Sequence, residues 1–282
     1  MDVILLLKAI ILGMVEGLTE YIPVSSTGHM IIVDDMWLQS EQFLTKYGAN
    51  TFKVVIQLGS ILAVVIHFWD RFIELLGLRQ MVGPMRPGSV VRRRRLTLGK
   101  VIVGLLPAGV LGLVFKDFID DYLFSTATVL WALVFGAVFM IVADRVGAKR
   151  RRPRAETVDE VTYRQAFLIG LFQCLSLWPG FSRSGATISG GVLLGLSHRA
   201  AADFTFIMAV PIMFGASAVS LLKNWEYMTW DMLPFFVVGF ISAFVFAWLS
   251  VGFFLRVISR VKLLPFAVYR ILLALVIWLV YF

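Results

Sequence analysis

Cysteine and charged residues are scarce in this sequence. Cys174 is the only cysteine among 282 residues, which excludes an intrachain disulfide. Because a catalytic thiolate needs a polar, activating environment, we expect Cys174 to be a buried and inert thiol. Only 16% of the residues are charged and 59% are hydrophobic, whereas soluble domains average about 25% and 45–50%. The composition therefore excludes an ordinary soluble domain and predicts a protein embedded in lipid.

Positive charge is concentrated in two short runs, at 92–95 and 149–154, within a net charge of +8. Basic runs beside transmembrane helices set the orientation of the chain and attract anionic lipid head groups. We therefore expect membrane lipids, and no nucleic acid, as partners. The start MDVILLLKAI lacks a basic region and a small-residue cleavage site, which predicts a retained membrane segment rather than a signal peptide.

Six apolar segments are long enough to cross a bilayer. They are 51–69, 97–116, 125–143, 203–222, 233–255 and 264–282. Two further apolar regions, 3–36 and 162–197, are interrupted by polar turns. Irregular backbone at membrane depth must be satisfied by protein or water, so we predict that both regions are re-entrant hairpins. The expected fold is an all-α polytopic membrane protein with six transmembrane helices plus two re-entrant helix hairpins.

The loop charges predict the orientation. The stretches 70–96 and 144–161 fall on one side of the membrane and are strongly basic, so we assign that side to the cytoplasm. Both termini then lie on the periplasmic side. Hairpin 3–36 enters from the outer face, and hairpin 162–197 enters from the cytoplasmic face.

The two hairpins resemble each other at a constant offset of 157 residues. The identical pairs are Ala9 and Ala166, Gly13 and Gly170, Leu18 and Leu175, Ser25 and Ser182, and Gly28 and Gly185. Three spans follow each hairpin, and because three is odd the second copy must be inverted, as in many transporters. We predict one membrane domain, 1–282, made of repeat 1 (1–144), a basic cytoplasmic linker (145–161) and repeat 2 (162–282).

The first hairpin carries acids, hydroxyls and an imidazole. Glu16 and Glu20 are four residues apart and share a helix face. Two intramembrane carboxylates are costly unless they serve a site, and their oxygens suit a hard cation such as Mg²⁺ or Ca²⁺. A Ser26/His29 pair allows a hydroxyl nucleophile with a general base, and His29 could instead attack phosphorus directly. The residues themselves leave both alternatives open.

The second hairpin carries a guanidinium. The Pro-Gly pair at 179–180 breaks one helix, and Ser182 or Ser184 can cap the next. Arg183 then lies at a helix N-terminus among hydroxyls, which predicts an anion cradle because guanidinium and backbone N–H groups match phosphate geometry. The alternative is that Arg183 only pairs with one of the two acids of the first hairpin.

The stretches EGLTEYIPVSSTGH (16–29) and PGFSRSGAT (179–187) resemble the signature motifs of the bacterial undecaprenyl-diphosphatase family, also known for bacitracin resistance. The resemblance covers the whole chain. It implies a bacterial inner-membrane phosphatase that converts undecaprenyl diphosphate, a polyprenyl diphosphate lipid, into the monophosphate carrier used in peptidoglycan synthesis. It also implies a divalent cation, an active site open to the periplasm, and a homodimer.

The resemblance also implies residue roles. Glu16 and Glu20 would be metal-linked or acid/base groups, and Ser26 or His29 would be the nucleophile or base. Arg183 would hold the phosphate. Five further hydroxyls of the two motifs are expected to bind the substrate's phosphate groups; they are those of Ser25, Thr27, Ser182, Ser184 and Thr187.

A secondary transporter or lipid flippase is the competing interpretation, because inverted repeats with broken helices are typical of transporters. In that case Glu16, Glu20 and His29 would relay protons, and Arg183 would bind an anionic substrate. The dense cluster of hydroxyls, imidazole and guanidinium favours phosphoryl transfer over a proton relay. Phosphate release without any gradient would distinguish the two.

Overall fold

The computed structural model describes residues 3–78, 95–150, 152–224 and 230–282, and the regular elements in these ranges are helices. The α-helices are α1 (Val3–Thr19), α2 (Ser26–Met30), α3 (Glu41–His67), α4 (Trp69–Leu75), α5 (Leu98–Val114), α6 (Lys116–Tyr122), α7 (Thr126–Ala148), α8 (Tyr163–Gln173), α9 (Arg183–Leu193), α10 (His198–Asn224), α11 (Leu233–Val261) and α12 (Leu264–Tyr281). A π-helix, Ile31–Leu38, continues α2. Positions 92–94 and 151 of the basic runs lie outside the described residues.

Five helical stretches are long and apolar enough to cross a membrane. They are Tyr47–His67, Thr126–Ala148, His198–Lys223, Trp230–Val261 and Leu264–Tyr281. Helices α5 and α6 make a sixth if they count as one span, although they meet at an angle of 66°. Each of the six predicted segments falls on one of these stretches or on α5. The chain is therefore a multi-pass helical membrane protein.

The first hairpin is held mainly by α11. Helix α1 packs along α11, and α11 also packs on α3. Small residues allow the close approach, because a Cβ on Gly17 would lie only 2.7 Å from the backbone nitrogen of Ala247. The hydroxyl of Ser250 donates a 2.8 Å hydrogen bond to the carbonyl of Gly17. These contacts fix the helix that carries Glu16.

The second hairpin is surrounded by protein on most sides. Helix α8 packs on α5, and α9 lies against α7, α8 and α10. Nine consecutive residues of α9, 184–192, are buried. This burial satisfies the requirement that a broken helix at membrane depth be covered by protein.

Both hairpins turn in the same way. Ser25 and Ser182 have positive φ angles of 72° and 71°, a region that non-glycine residues rarely adopt. The Ser25 hydroxyl accepts a hydrogen bond from the N–H of Gly28 at 3.3 Å, and the Ser182 hydroxyl accepts one from Gly185 at 3.2 Å. Each serine thereby caps the helix that follows it. The two tips have the same local geometry but different side chains.

The predicted linker, 145–161, is bonded to residues on both sides of it in the sequence. Arg71 donates two hydrogen bonds to Asp159, at 3.1 and 2.9 Å, and the N–H of Leu96 donates to the same carboxylate at 3.0 Å. Further along, the N–H of Ser197 donates to the carbonyl of Ala155 at 2.8 Å. These bonds anchor the linker beside the start of α10.

Candidate active site

The tips of the two hairpins meet through an ion pair. Nη2 of Arg183 lies 3.0 Å from Oε1 of Glu20, and the two side chains are only 13% and 10% exposed. The Ser184 hydroxyl adds a 3.3 Å hydrogen bond to the carbonyl of Ile22 across the same junction. Of the two acids that the sequence offers to Arg183, the structure therefore selects Glu20.

Glu20 also holds the hydroxyl of Ser26. Oγ of Ser26 donates a 2.6 Å hydrogen bond to Oε2 of Glu20. The Glu20 carboxylate thus bridges two groups: one of its oxygens binds the Ser26 hydroxyl, and the other binds the Arg183 guanidinium. A hydroxyl bonded to a carboxylate is the geometry of a nucleophile beside its general base.

A cavity of about 160 Å³ lies between the tips and is called here the tip cavity. It is lined by Glu20, Ser25, Ser26, Thr27, Gln57, Ser176, Pro179, Gly180, Ser182 and Arg183. Nε and Nη1 of Arg183 are buried and have no hydrogen-bond partner in the described part of the chain. Together with the N-terminus of α9, these unused donors make the tip cavity suitable for an anion.

Glu16 lies beside the tip cavity and not within it. It lines a second space of about 400 Å³, the side cavity, which shares Ser26, Thr27 and Gln57 with the tip cavity. Glu16 is only 5% exposed, and its Oε1 atom has no hydrogen-bond partner among the described residues. A buried carboxylate oxygen without a partner, close to hydroxyls, fits the oxygen ligands of a hard divalent cation.

The described residues of the site do not form a preformed multidentate metal cage. Within the described ranges, no group of three or more His, Cys, Asp or Glu side chains could hold a metal ion. The donors that the two cavities offer to a cation include the carboxylates of Glu16 and Glu20 and the hydroxyls of Ser26 and Thr27. Mg²⁺ commonly binds through one or two carboxylates and substrate phosphates, so this small set is sufficient.

The imidazole of His29 bonds to residues other than Ser26. Its Nδ1 lies 2.7 Å from the carbonyl oxygen of Ser25, and its Nε2 lies 2.7 Å from the hydroxyl of Tyr269. The two rings are also stacked, with centroids 5.6 Å apart. Both imidazole nitrogens are thus occupied, while the hydrogen bond of Ser26 goes to Glu20. Tyr269 is far away in the sequence, and no local pattern pointed to it.

Two hydroxyls of the second motif point into protein. Ser184 contacts Ile22 and Ser182, and the hydroxyl of Thr187 donates to the carbonyl of Arg183 at 2.8 Å. Thr187 also accepts a 2.8 Å hydrogen bond from Thr205. Neither residue lines the tip cavity. In this arrangement they fix the first turn of α9, which carries Arg183.

Arg270 on α12 was missed by the sequence analysis. It is completely buried and donates to the carbonyls of Phe181, Gly180 and Ala132 at 2.7, 3.0 and 3.1 Å. No carboxylate bonds it in the part of the chain that the structure describes. An arginine within an apolar span is itself a signal, because such residues are rare and usually functional. Here the guanidinium stabilises the turn that leads into Ser182 and Arg183, because it donates hydrogen bonds to two carbonyls of that turn.

Comparison with known proteins supports a single family. The family profile BacA, described as bacitracin resistance protein BacA, matches residues 9–276. A protein named undecaprenyl-diphosphatase from Anoxybacillus flavithermus (strain DSM 21510 / WK1) is 69% identical over 282 residues, 100% of both chains. The proteins of that name from Geobacillus sp. (strain WCH70) and Bacillus subtilis (strain 168) are 70% and 58% identical, covering 100% and 98% of each chain. The chain therefore belongs to the bacitracin resistance protein BacA family.

Proposed function

We propose that this protein is an integral membrane phosphatase that hydrolyses undecaprenyl diphosphate to undecaprenyl phosphate and inorganic phosphate. It thereby recycles the carrier lipid for peptidoglycan synthesis. The observation that carries the proposal is the buried chain of contacts from Ser26 through Glu20 to Arg183 across the two hairpin tips. The shared family and the names of its close relatives support the same substrate.

The contacts suggest an order of events. Arg183 holds the distal phosphate through its unused N–H donors. The Ser26 oxygen attacks the distal phosphorus while Glu20 takes the hydroxyl proton. The bond from phosphorus to the bridging oxygen breaks, and its electron pair leaves with undecaprenyl phosphate. Water then attacks the phosphorus of the phosphoserine, and the bond from phosphorus to the Ser26 oxygen breaks. Glu20 returns its proton to that oxygen, which restores the hydroxyl and releases inorganic phosphate.

His29 has a different role in this proposal. Because its two nitrogens contact Ser25 and Tyr269, it supports the backbone of the first tip and does not form the bond to phosphorus. A direct attack by His29 requires the ring to leave both partners. The hydrogen bond between Ser26 and Glu20 requires no such rearrangement, which is why we favour Ser26 as the nucleophile.

Glu16 and Glu20 are proposed to hold a divalent cation, Mg²⁺ or Ca²⁺. The support is the buried, unpartnered Oε1 of Glu16 beside Ser26 and Thr27. A bound cation neutralises charge on phosphoryl oxygens. The other five motif hydroxyls are proposed to help bind the phosphate groups, some directly and some through Arg183. Ser25, Thr27 and Ser182 line the tip cavity, and Ser184 and Thr187 hold Arg183 in place.

We further propose that the chain is an inverted repeat of six spans and two re-entrant hairpins. Equal offsets support this: α2 and α9 begin 157 residues apart, and so do α3 and α10. The basic loops support termini on the periplasmic side of the inner membrane. A catalytic site that opens to the periplasm is proposed from the family resemblance and not from the loop charges. A homodimer is proposed only because the family resemblance implies one. Cysteine labelling tests the orientation in a protein whose Cys174 has been replaced. Asp120→Cys should react with a membrane-impermeant reagent added to intact cells, and Arg260→Cys should not.

The function is tested with purified protein in detergent. Phosphate release from undecaprenyl diphosphate is measured with Mg²⁺ or Ca²⁺ and again after chelation, with Arg183→Gln as the inactive control. We expect the wild-type protein to release phosphate only when the metal is present. We expect Arg183→Gln to release none. Folded protein that releases no phosphate under any of these conditions would redirect the interpretation to a transporter, in which Arg183 binds a transported anion.

A further inference from the structure

A further charged cavity lies at the end of α9 opposite the hairpin tips. Its volume is about 490 Å³, and we call it the basic cavity because Arg150, His198, Arg199 and Lys262 line it. It is bounded by the C-terminal end of α7, the N-terminal end of α10 and the turn between α11 and α12. Because these helices span the membrane, their ends place the cavity at the level of the lipid head groups.

The charges in the basic cavity are only partly compensated. His198 bonds to Asp144 at 2.7 Å, and Arg199 pairs with Asp203 at 2.9 Å. Arg150 instead donates to the carbonyls of Val192 and Leu193 at the C-terminal end of α9. Neither Arg150 nor Lys262 has a carboxylate partner in the described ranges. Two unpaired cations therefore remain, and Glu156 is the one acidic residue of the lining.

The walls of the basic cavity are built by specific hydrogen bonds. On one side, the Ser197 hydroxyl donates to the carbonyl of Glu156 at 3.0 Å. On the other, the carboxylate of Asp144 accepts hydrogen bonds from the N–H groups of Leu263 and Leu264 at 2.9 and 2.8 Å. These two bonds fix the turn that carries Lys262. The backbone beside Lys262 is therefore fixed, although the Lys262 side chain itself is exposed.

The matching place in the first half of the chain carries the opposite charge. At the offset of 157 residues, Ser40, Glu41 and Gln42 correspond to Ser197, His198 and Arg199. The first set also lines a cavity, of about 400 Å³, together with Asp34 and Asp35. The same backbone plan therefore forms an acidic cavity in one half and a basic one in the other. The basic side chains are not a requirement of the fold itself.

We propose that the basic cavity binds a phosphate anion, supplied by the head group of an anionic phospholipid. Basic pockets between transmembrane helices on the cytoplasmic side commonly bind such head groups. The positive N-terminal end of the 27-residue helix α10 adds to the attraction. Soluble phosphate offers the same chemistry, and the experiment separates the two sources. The proposal is independent of the catalytic chemistry at the hairpin tips.

The test measures binding to the full-length protein in neutral detergent by titration calorimetry. The probes are short-chain phosphatidylglycerol, short-chain phosphatidylcholine and inorganic phosphate. Lys262→Gln removes one of the unpaired cations, and Arg260→Gln is the matched control, because Arg260 is an exposed neighbour outside the lining. Arg183→Gln removes the anion-binding guanidinium of the tips, so that any binding there can be separated.

We expect saturable binding of phosphatidylglycerol that weakens about fivefold in Lys262→Gln and stays unchanged in Arg260→Gln and Arg183→Gln. If only inorganic phosphate binds, with the same dependence on Lys262, the anion site stands and its ligand is soluble. Equal weakening in Lys262→Gln and Arg260→Gln would show a diffuse charge effect and overturn the proposal. The proposal would also be overturned if neither phosphatidylglycerol nor inorganic phosphate bound saturably.

Discussion

Oε2 of Glu20 accepts a 2.6 Å hydrogen bond from the hydroxyl of Ser26. The two residues belong to different parts of the first hairpin, Glu20 just after α1 and Ser26 at the first position of α2. The other oxygen of the carboxylate binds Arg183 from the second hairpin. A single side chain therefore connects the proposed nucleophile to the proposed phosphate-binding group.

Glu20→Gln should lower kcat by about 100-fold or more, because the amide can accept the hydrogen bond of Ser26 but cannot take its proton. The same change removes the ion pair with Arg183, so KM should rise as well. Steady-state phosphate release gives both constants. Unchanged kcat with a raised KM would show that Glu20 orients Arg183 and does not act as a base.

The phosphorylated residue can be identified directly. We expect protein that is quenched during a single turnover to carry phosphate on Ser26, because the contacts of His29 keep its ring away from the tip cavity. The protein is quenched once in acid and once in alkali, and its peptides are mapped by mass spectrometry. Phosphoserine survives acid and phosphohistidine does not, so the two samples distinguish the two phosphorylated residues. An acid-labile phosphate on His29 would contradict the assignment.

Glu16→Gln should raise the metal concentration needed for half-maximal activity by about tenfold or more, because it removes a proposed cation ligand. Asp35→Asn is the matched control. Asp35 lines the same side cavity but lies 3.5 Å from Lys53. Equal metal dependence in the two variants would place the cation elsewhere.

Arg270→Met should destabilise the protein by about 3 kcal/mol or more, because it leaves three buried carbonyl groups without donors. Arg270→Lys keeps the charge and one or two of the bonds, so it should recover part of the stability. If the Arg270 guanidinium positions Arg183, the lysine variant should also show a raised KM. Thermal unfolding in detergent and steady-state kinetics measure the two effects.

Much of the fold could be predicted because its signals are local. Hydropathy predicts the spans, and the polar interruptions of the apolar regions 3–36 and 162–197 predict the hairpins. The rule that an intramembrane charge needs a partner left Glu16 and Glu20 as two alternatives for Arg183, and the structure pairs it with Glu20. The same rule, applied to the last span, would have identified Arg270.

The rest of the site depends on contacts that no local pattern contains. Tyr269 meets His29 only because α12 packs beside α2. A motif also does not show which of its hydroxyls face the cavity. Ser182 lines the tip cavity, whereas Thr187, five residues later, bonds to Thr205 inside the protein.

The central claim is that Ser26 carries out the reaction at the hairpin tips, and single-turnover phosphate release from undecaprenyl diphosphate by Ser26→Ala tests it most directly. Ser176→Ala is the control, because Ser176 lines the same tip cavity but donates its hydrogen bond to the carbonyl of Gln173. We predict that Ser26→Ala loses at least about 1,000-fold in rate while Ser176→Ala stays within about tenfold of the wild type. A folded Ser26→Ala protein with nearly normal turnover would contradict the account.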